Sequence, residues 1–124
     1  MHTVLVVDDD DDIRDLIVLT LRRSGLDVRD FADPRAALAH ARTSTCHAAV
    51  LDWSMPGMDG GELCTELRLL PHLREAPIFI VTAYADAATR ERARACGASD
   101  FITKPFSLKD LAGRLSGMLV TPSP

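Results

Sequence analysis

No apolar run in the sequence approaches the roughly 20 residues of a membrane-spanning helix. The strongly apolar stretches, such as Val4 to Val7 and Ile78 to Val81, are strand-sized. A charged leader with an apolar core and a small-residue cleavage site is missing too, because Met1 is followed almost at once by the first of those stretches; a cytoplasmic location is the expectation. Cysteine is scarce. Cys46, Cys64 and Cys96 are odd in number, and none stands in a C-x-x-C or other zinc-like spacing, so they read as reduced structural thiols. His2, His40, His47 and His72 are scattered without a second ligand at helical or turn spacing, so no histidine metal site is expected. Positive charge is not in excess: the net charge of −4 argues against direct nucleic-acid binding, which needs a basic surface for the phosphates. What remains is the composition of an ordinary soluble protein, 47% hydrophobic and 26% charged. Its 124 residues suffice for one domain with its own core and no covalent or metal staple.

Along the chain, strand-length apolar runs alternate with segments of helical period five times, the pattern of βαβ units with a parallel sheet. After Val4 to Val7, Ile13, Leu16, Ile17 and Leu21 recur at i, i+3, i+4 and i+8 and predict a helix ending near Gly25. Val28 and Phe31 sit among Asp27, Arg29 and Asp30, which predicts a polar strand at a sheet edge. Asp33-Pro34 reads as N-cap and N1 of a second helix, Arg35 to Ala41. Ala48 to Leu51 makes a third strand, and the Pro/Gly-rich loop Ser54 to Gly60 leads to a helix carrying Leu63, Leu67 and Leu70. Ile78 to Val81, the most apolar strand, belongs at the sheet centre. Asp86 caps a fourth helix that runs to Cys96 and is closed by Gly97. Phe101 and Ile102 form a short fifth strand, and Ser107-x-x-Asp110 resembles a capping box before a helix striped by Leu108, Leu111, Leu115, Met118 and Leu119. The expected fold is an α/β three-layer α/β/α sandwich on a five-stranded parallel sheet in the flavodoxin-like order 2-1-3-4-5. Residues 1–120 would form the domain and 121–124 a tail or linker stub.

In a parallel sheet the strand C-termini share one edge, so residues that follow different strands become neighbours. Those positions hold Asp8, Asp9, Asp52, Thr82 and Lys104. At 4 Å and an effective dielectric near 20, each pair of carboxylates repels by about 4 kcal/mol, so a cation must join them. Lys104 supplies one charge, and a hard divalent ion with oxygen ligands can supply the rest; Mg²⁺ takes one or two carboxylates, keeps waters and accepts phosphate oxygens. Such a site suits a phosphoryl group. A carboxylate ending a central strand can attack phosphorus to give an aspartyl phosphate, while Lys104 and the metal neutralise developing charge and the Thr82 hydroxyl donates to a phosphoryl oxygen.

Four motifs carry a resemblance: VLVVDD at Val4 to Asp9, LDWSMPGMDG at Leu51 to Gly60, IVTA at Ile80 to Ala83 and KPF at Lys104 to Phe106. Over residues 3 to 119 the chain resembles the receiver domains of bacterial response regulators. The resemblance implies that Asp52 is the phosphoacceptor. It implies that Asp9, Asp52 and the backbone carbonyl of Ser54 bind Mg²⁺, with Mn²⁺ as a substitute, and that Asp8 assists through water. Lys104 would contact the phosphoryl group, Thr82 and Phe101 would be coupled switch residues, and the Lys104–Pro105 bond would be cis. Ser54 and Tyr84 fall where the family tunes the lifetime of its phosphoryl group. A sensor histidine kinase or phosphotransfer protein would dock near the first helix. An output domain or protein, or a second copy in a homodimer, would use the face of the fourth helix, fifth strand and fifth helix. The protein would be a phosphoacceptor that assists its own phosphotransfer and dephosphorylation, not a turnover enzyme, with no nucleic acid or membrane as a direct partner. Asp11 replaces a frequent Pro, and Phe101 a frequent Tyr, so the switch aromatic offers no hydroxyl.

Other readings meet obstacles. Asp10, Asp11 and Asp12 read as a solvated helix start, but Asp8 and Asp9 follow four apolar strand residues, where bare carboxylates need partners. Trp53, Met55 and Met58 read as lining or covering the loop beside Asp52. Asp8-x-Asp10 loosely matches haloacid-dehalogenase phosphatases, yet no acidic pair follows Lys104 on a later strand and there is no room for a cap. A flavin carrier of this topology would want a Ser/Thr/Gly phosphate loop where this chain has carboxylates. An EF-hand would need glycine at Ile13 and glutamate at Leu19. A phosphorylation-independent interaction domain on the same fold is opposed by the intact Asp52 and Lys104.

Overall fold

The structure, a computed structural model, describes residues 2–83 and 86–119. Tyr84 and the 121–124 stub lie outside these residues. Strands β1 (Thr3–Val7), β2 (Asp27–Phe31), β3 (Ala48–Asp52), β4 (Ile78–Thr82) and β5 (Asp100–Thr103) alternate with helices α1 (Asp11–Arg23), α2 (Pro34–Thr43), α3 (Gly60–Arg68), α4 (Ala87–Ala95) and α5 (Leu108–Leu119). A short 3₁₀ turn, Pro71–Leu73, precedes β4. The sheet order is β2-β1-β3-β4-β5 and every pairing is parallel, as the alternation of elements requires.

Side chains alternate across each strand and feed two cores. Leu5, Val7, Ala49, Leu51, Ile78 and Ile80 face α2, α3 and α4. Val4, Val6, Ala48, Val50, Phe79 and Val81 face α1 and α5. Burial on both faces explains the unbroken apolar runs of β1, β3 and β4, while β2, paired on one side only, keeps Arg29 exposed.

Four aspartates start helices. Asp10, Asp33, Asp59 and Asp86 accept hydrogen bonds from first-turn amides of α1, α2, α3 and α4. Ser107 does the same for α5, accepting from the Asp110 amide at 3.1 Å. Past the end of α4, Gly97 takes φ +94, the left-handed conformation that lets the chain reverse into β5.

Two helix stripes differ from the sequence pattern. Leu16 is 51% exposed and Met118 48% exposed, whereas Val18 and Ala112 are buried. A helix lying flat on a sheet buries a narrow arc: on α1 it centres on Ile17, Val18 and Leu21, and Leu16 falls outside it. The pattern also gave no hint of Arg68. Its guanidinium donates to the carbonyls of Leu73 (2.8 Å), Ala76 (2.6 Å) and Gly97 (2.7 Å), fastening the α3–β4 connection to the α4–β5 turn.

Gly60 opens α3 directly against the site strand, with its amide donating to the Trp53 carbonyl at 2.9 Å. A Cβ at this position would run into the Asp52 carbonyl oxygen, whereas a Cβ at Gly113, inside α5, would meet nothing within 4 Å. The two alanine substitutions should therefore have opposite signs. Gly60→Ala should lose about 1–3 kcal/mol through overpacking. Gly113→Ala should gain about 0.5–1 kcal/mol from helix propensity. Urea unfolding of both variants checks this, and equal signs would contradict it.

Candidate functional site

The register fixes the rim. Val7 pairs with Leu51, Asp52 with Val81 and Thr82 with Thr103, so β1, β3, β4 and β5 end side by side. Asp8, Asp52 and Thr82 are the buried polar or charged residues of the described chain, while Asp9 is exposed. One carboxylate oxygen from each of Asp8, Asp9 and Asp52 lies within 4.8 Å of the others. Lys104 reaches in from the end of β5: its Nζ donates to Asp52 Oδ1 at 3.2 Å and stands 3.6 Å from Asp8 Oδ2. Its backbone amide donates to the Thr82 carbonyl at 2.6 Å, and the Lys104–Pro105 peptide is cis, as the resemblance implied.

Burial and charge set the titration of these groups. Burial, reinforced by Asp8 and opposed by Lys104, pushes the Asp52 carboxyl up to about 6. Asp8 is raised as well, again by burial first, against the Asp10 amide and Lys104. Burial alone would depress the Lys104 ammonium, but Asp52 and Asp8 outweigh it and hold the group above its ordinary value. One ammonium therefore serves two crowded carboxylates, and the rim is short of positive charge.

The donor set fits a hard divalent cation. It offers only carboxylate oxygens, as Mg²⁺ prefers, and oxygens about 2.1 Å from one ion stand no more than about 4.2 Å apart. The carboxylate oxygens, all within 4.8 Å of one another, are near enough for one such ion to be shared among them.

The other residues singled out in the sequence surround this rim. Ser54 is exposed, just beyond Asp52 and Trp53. Phe101 is half-buried on β5, paired in register with Ile80 and packed at the margin of the core, with the Arg90 guanidinium 5.4 Å above its ring. Trp53 and Met55 are buried in the core under α3 and α4, and Met58 packs against it, so they support the loop from below. Two arginines escaped the sequence reading. Arg92 of α4 lies over the Trp53 ring at 5.0 Å and 3.7 Å from Asp59, joining α4 to the loop that carries Asp52. Arg14 of α1 grips the β1–α1 turn from behind, donating to the Asp8 carbonyl at 2.9 Å. Its position four residues after the cap residue Asp10 was the available signal.

Comparison with known proteins places this geometry in a family. Residues 4–116 match the family model described as the response regulator receiver domain. The chain is 38% identical over 121 residues to the transcriptional regulatory protein GltR of Pseudomonas aeruginosa, covering 95% of this chain and 49% of that protein. It is 36% identical over 118 residues to the cyclic di-GMP phosphodiesterase response regulator RpfG of Xanthomonas campestris, covering 94% of this chain and 31% of that protein. The chain thus spans half or less of the length of these curated relatives. Among solved structures, the chemotaxis protein CheY4 of Vibrio cholerae superposes with a TM-score of 0.90 at 32% identity, covering 96% of this chain and 99% of that one. With the family's motifs at the ends of the strands where they converge, this chain belongs to the receiver domains of two-component response regulators.

Proposed function

We propose that Asp52 accepts the phosphoryl group in this receiver, in a reaction that requires Mg²⁺ held by Asp9, Asp52 and the Ser54 carbonyl, with Asp8 assisting through water. The observation that carries the reading is the rim itself, where three carboxylate oxygens gather within 4.8 Å beside one ammonium. Asp52 is the acid that ends an interior strand of the sheet, and Lys104 already points at its oxygen.

The residues then divide the work. An Asp52 oxygen attacks phosphorus, and the bond from phosphorus to the donor's imidazole nitrogen or acyl oxygen breaks, the electron pair leaving with the donor. Lys104 moves from the carboxylate to a phosphoryl oxygen. The metal, when bound, supplies Lewis-acid neutralisation of the charge on the transferring group. Asp9 would hold the metal beside Asp52, with Asp8 assisting through water. The chain assists its own phosphotransfer and later dephosphorylation, with Ser54 and Tyr84 tuning the lifetime of the adduct.

Receiver domains of this family take their phosphoryl groups from histidine kinases. Here the kinase, or a phosphotransfer protein, would dock beside α1, where Leu16 and Leu19 are exposed and Leu16 lines an apolar depression of about 480 Å³ with Ile13, Phe106 and Lys104. The switch would run through Thr82 and Phe101 to the face of α4, β5 and α5. This face would serve an output domain, a separate output protein or a second copy in a homodimer. The α4 helix buries only Ala93, so few contacts oppose its movement. Residues 1–120 would act as the switching unit. A cytoplasmic setting suits a partner kinase, and no helix of the described residues is long and apolar enough to cross a membrane.

Two measurements follow. Incubation with acetyl phosphate and Mg²⁺ should add one phosphoryl mass to the wild-type chain and none to Asp52→Asn or to an EDTA-treated sample; an unchanged yield in Asp52→Asn would assign the acceptor elsewhere. The second is a stability profile without metal. The Asp52 carboxyl titrates near 6 in the folded chain, above its ordinary value of 3.8. The folded state therefore retains a proton that the unfolded state has released, and stability falls as pH rises from about 4 to about 6, by about 3 kcal/mol. Asp52→Asn should be more stable than wild type at pH 7 by a comparable amount and equal to it near pH 3.5, in urea unfolding. A constant difference between the two across that range would contradict the assignment of the buried charge to Asp52.

A further inference from the structure

We infer that Arg14 is a positioning residue for the metal-binding rim: by holding the Asp8 carbonyl, its guanidinium sets the direction in which Asp9 presents its carboxylate. The inference rests on the reading of Asp9 and Asp52 as metal ligands given above.

Each of the three guanidinium nitrogens has its own acceptor on a different element. Nη1 donates to the Asp8 carbonyl at the end of β1 at 2.9 Å, Nε to Asp30 Oδ2 on β2 at 3.1 Å, and Nη2 to Asp11 Oδ1 in the first turn of α1 at 2.7 Å. The Arg14 side chain is only 14% exposed, so this fork is held largely out of water, where charge-assisted hydrogen bonds are strongest. Asp8 is thereby fixed on every side. Its amide donates to the Phe31 carbonyl at 3.2 Å, its Oδ1 accepts from the Asp10 amide at 2.9 Å, and its Oδ2 faces Lys104.

Asp9 is placed differently. It is exposed, and among the described residues its carboxylate has no hydrogen-bond or ion-pair partner. Among the described residues no hydrogen bond or ion pair of the side chain orients this ligand, and its carboxylate neighbours Asp8 and Asp52 repel it. The Asp8 carbonyl belongs to the peptide plane that joins Asp8 to Asp9, so the bond from Arg14 restrains the rotation that would swing the Asp9 side chain off the rim. Arg14 thus acts on Asp9 through the backbone, while Asp30 and Asp11 keep the guanidinium from turning.

Charge and geometry predict opposite outcomes when Arg14 is removed. A cation near a metal site repels the metal, so its loss through charge alone would tighten Mg²⁺ binding. Loss of orientation weakens it. Trp53, the only tryptophan, is buried beside Asp52 and serves as the fluorescence reporter. In titrations of the full chain, Arg14→Gln should bind Mg²⁺ roughly tenfold more weakly than wild type, the scale of outer-shell changes at metal sites. Arg14→Lys should also weaken binding, since an ammonium keeps the charge but cannot span three acceptors in a plane. Asp30→Asn, which frees one arm and leaves Arg14 in place, should show an intermediate loss and covers the case in which an Arg14 variant does not fold. Phosphorylation by acetyl phosphate should need correspondingly more Mg²⁺ in Arg14→Gln, with a maximal rate at saturating Mg²⁺ within about twofold of wild type. Unchanged or tighter Mg²⁺ binding in Arg14→Gln, or a maximal rate that collapses at unchanged Mg²⁺ affinity, would overturn the inference. An Asp9→Asn variant that binds Mg²⁺ like wild type would instead overturn the metal reading, and this inference with it.

Discussion

Repulsion between carboxylates at one rim of a parallel sheet is the constraint on which the rest of this structure depends. Asp8 and Asp52 are buried at the ends of neighbouring strands, where removal from water first, and the charge of nearby carboxylates second, oppose ionisation. One lysine meets part of that demand, and its own elevated proton affinity records the load. The fold keeps the site costly on its own by tying down the backbone at both buried acids. The Asp52–Trp53 backbone is clamped from below by Gly60, and Asp8 is tied at its amide, its carbonyl and its Oδ1. A site that cannot relax by moving its charges apart would be relieved by a bound cation, and in the proposed reaction by the phosphoryl group that comes with it.

The same contacts would make occupancy of the rim legible elsewhere. Lys104 touches the acids with its ammonium and Thr82 with its amide, so the ends of β4 and β5 are joined at the place where a phosphoryl group would bind. On the other side, Arg92 ties Trp53 and Asp59 to α4, and Arg90 covers Phe101. Thus α4, the α-helix with the fewest buried residues, is held by two of its own arginines resting on aromatic rings next to the site and on β5. Cation–π contacts of this kind contribute on the order of 1 kcal/mol each when partly exposed. They are weak enough to be exchanged if the rim changes, as the proposed switch requires.

Most of the architecture was legible because each signal was local and redundant. The apolar runs marked the strands, Asp33 and Asp86 marked helix starts, Gly97 marked a helix end, and the polar residues of β2 marked an edge. The acids and Lys104 were legible because parallel topology gathers strand ends whatever their sequence separation. Other features depended on orientation or on distant partners. Leu16 and Met118 carry the right residue type for a core stripe but fall outside the narrow arc that a flat sheet covers. Arg68 satisfies carbonyls brought together only by the finished fold, and Arg14 and Arg92 resemble ordinary surface cations until their acceptors are in place.

GltR is a transcriptional regulatory protein and RpfG a cyclic di-GMP phosphodiesterase response regulator, both at least twice as long as the part this chain matches, whereas CheY4 matches this chain almost end to end. What they have in common with this chain is a stretch of similar sequence or fold that spans nearly all of it. The most direct test of the rim's purpose is a crystal grown with Mn²⁺ and analysed by anomalous scattering. A single strong peak in bonding contact with Asp9 and Asp52, with Lys104 drawn away from Asp52 toward any bound phosphate mimic, is the predicted result. A rim left without a peak at saturating Mn²⁺, with Lys104 still bridging Asp8 and Asp52, would contradict it.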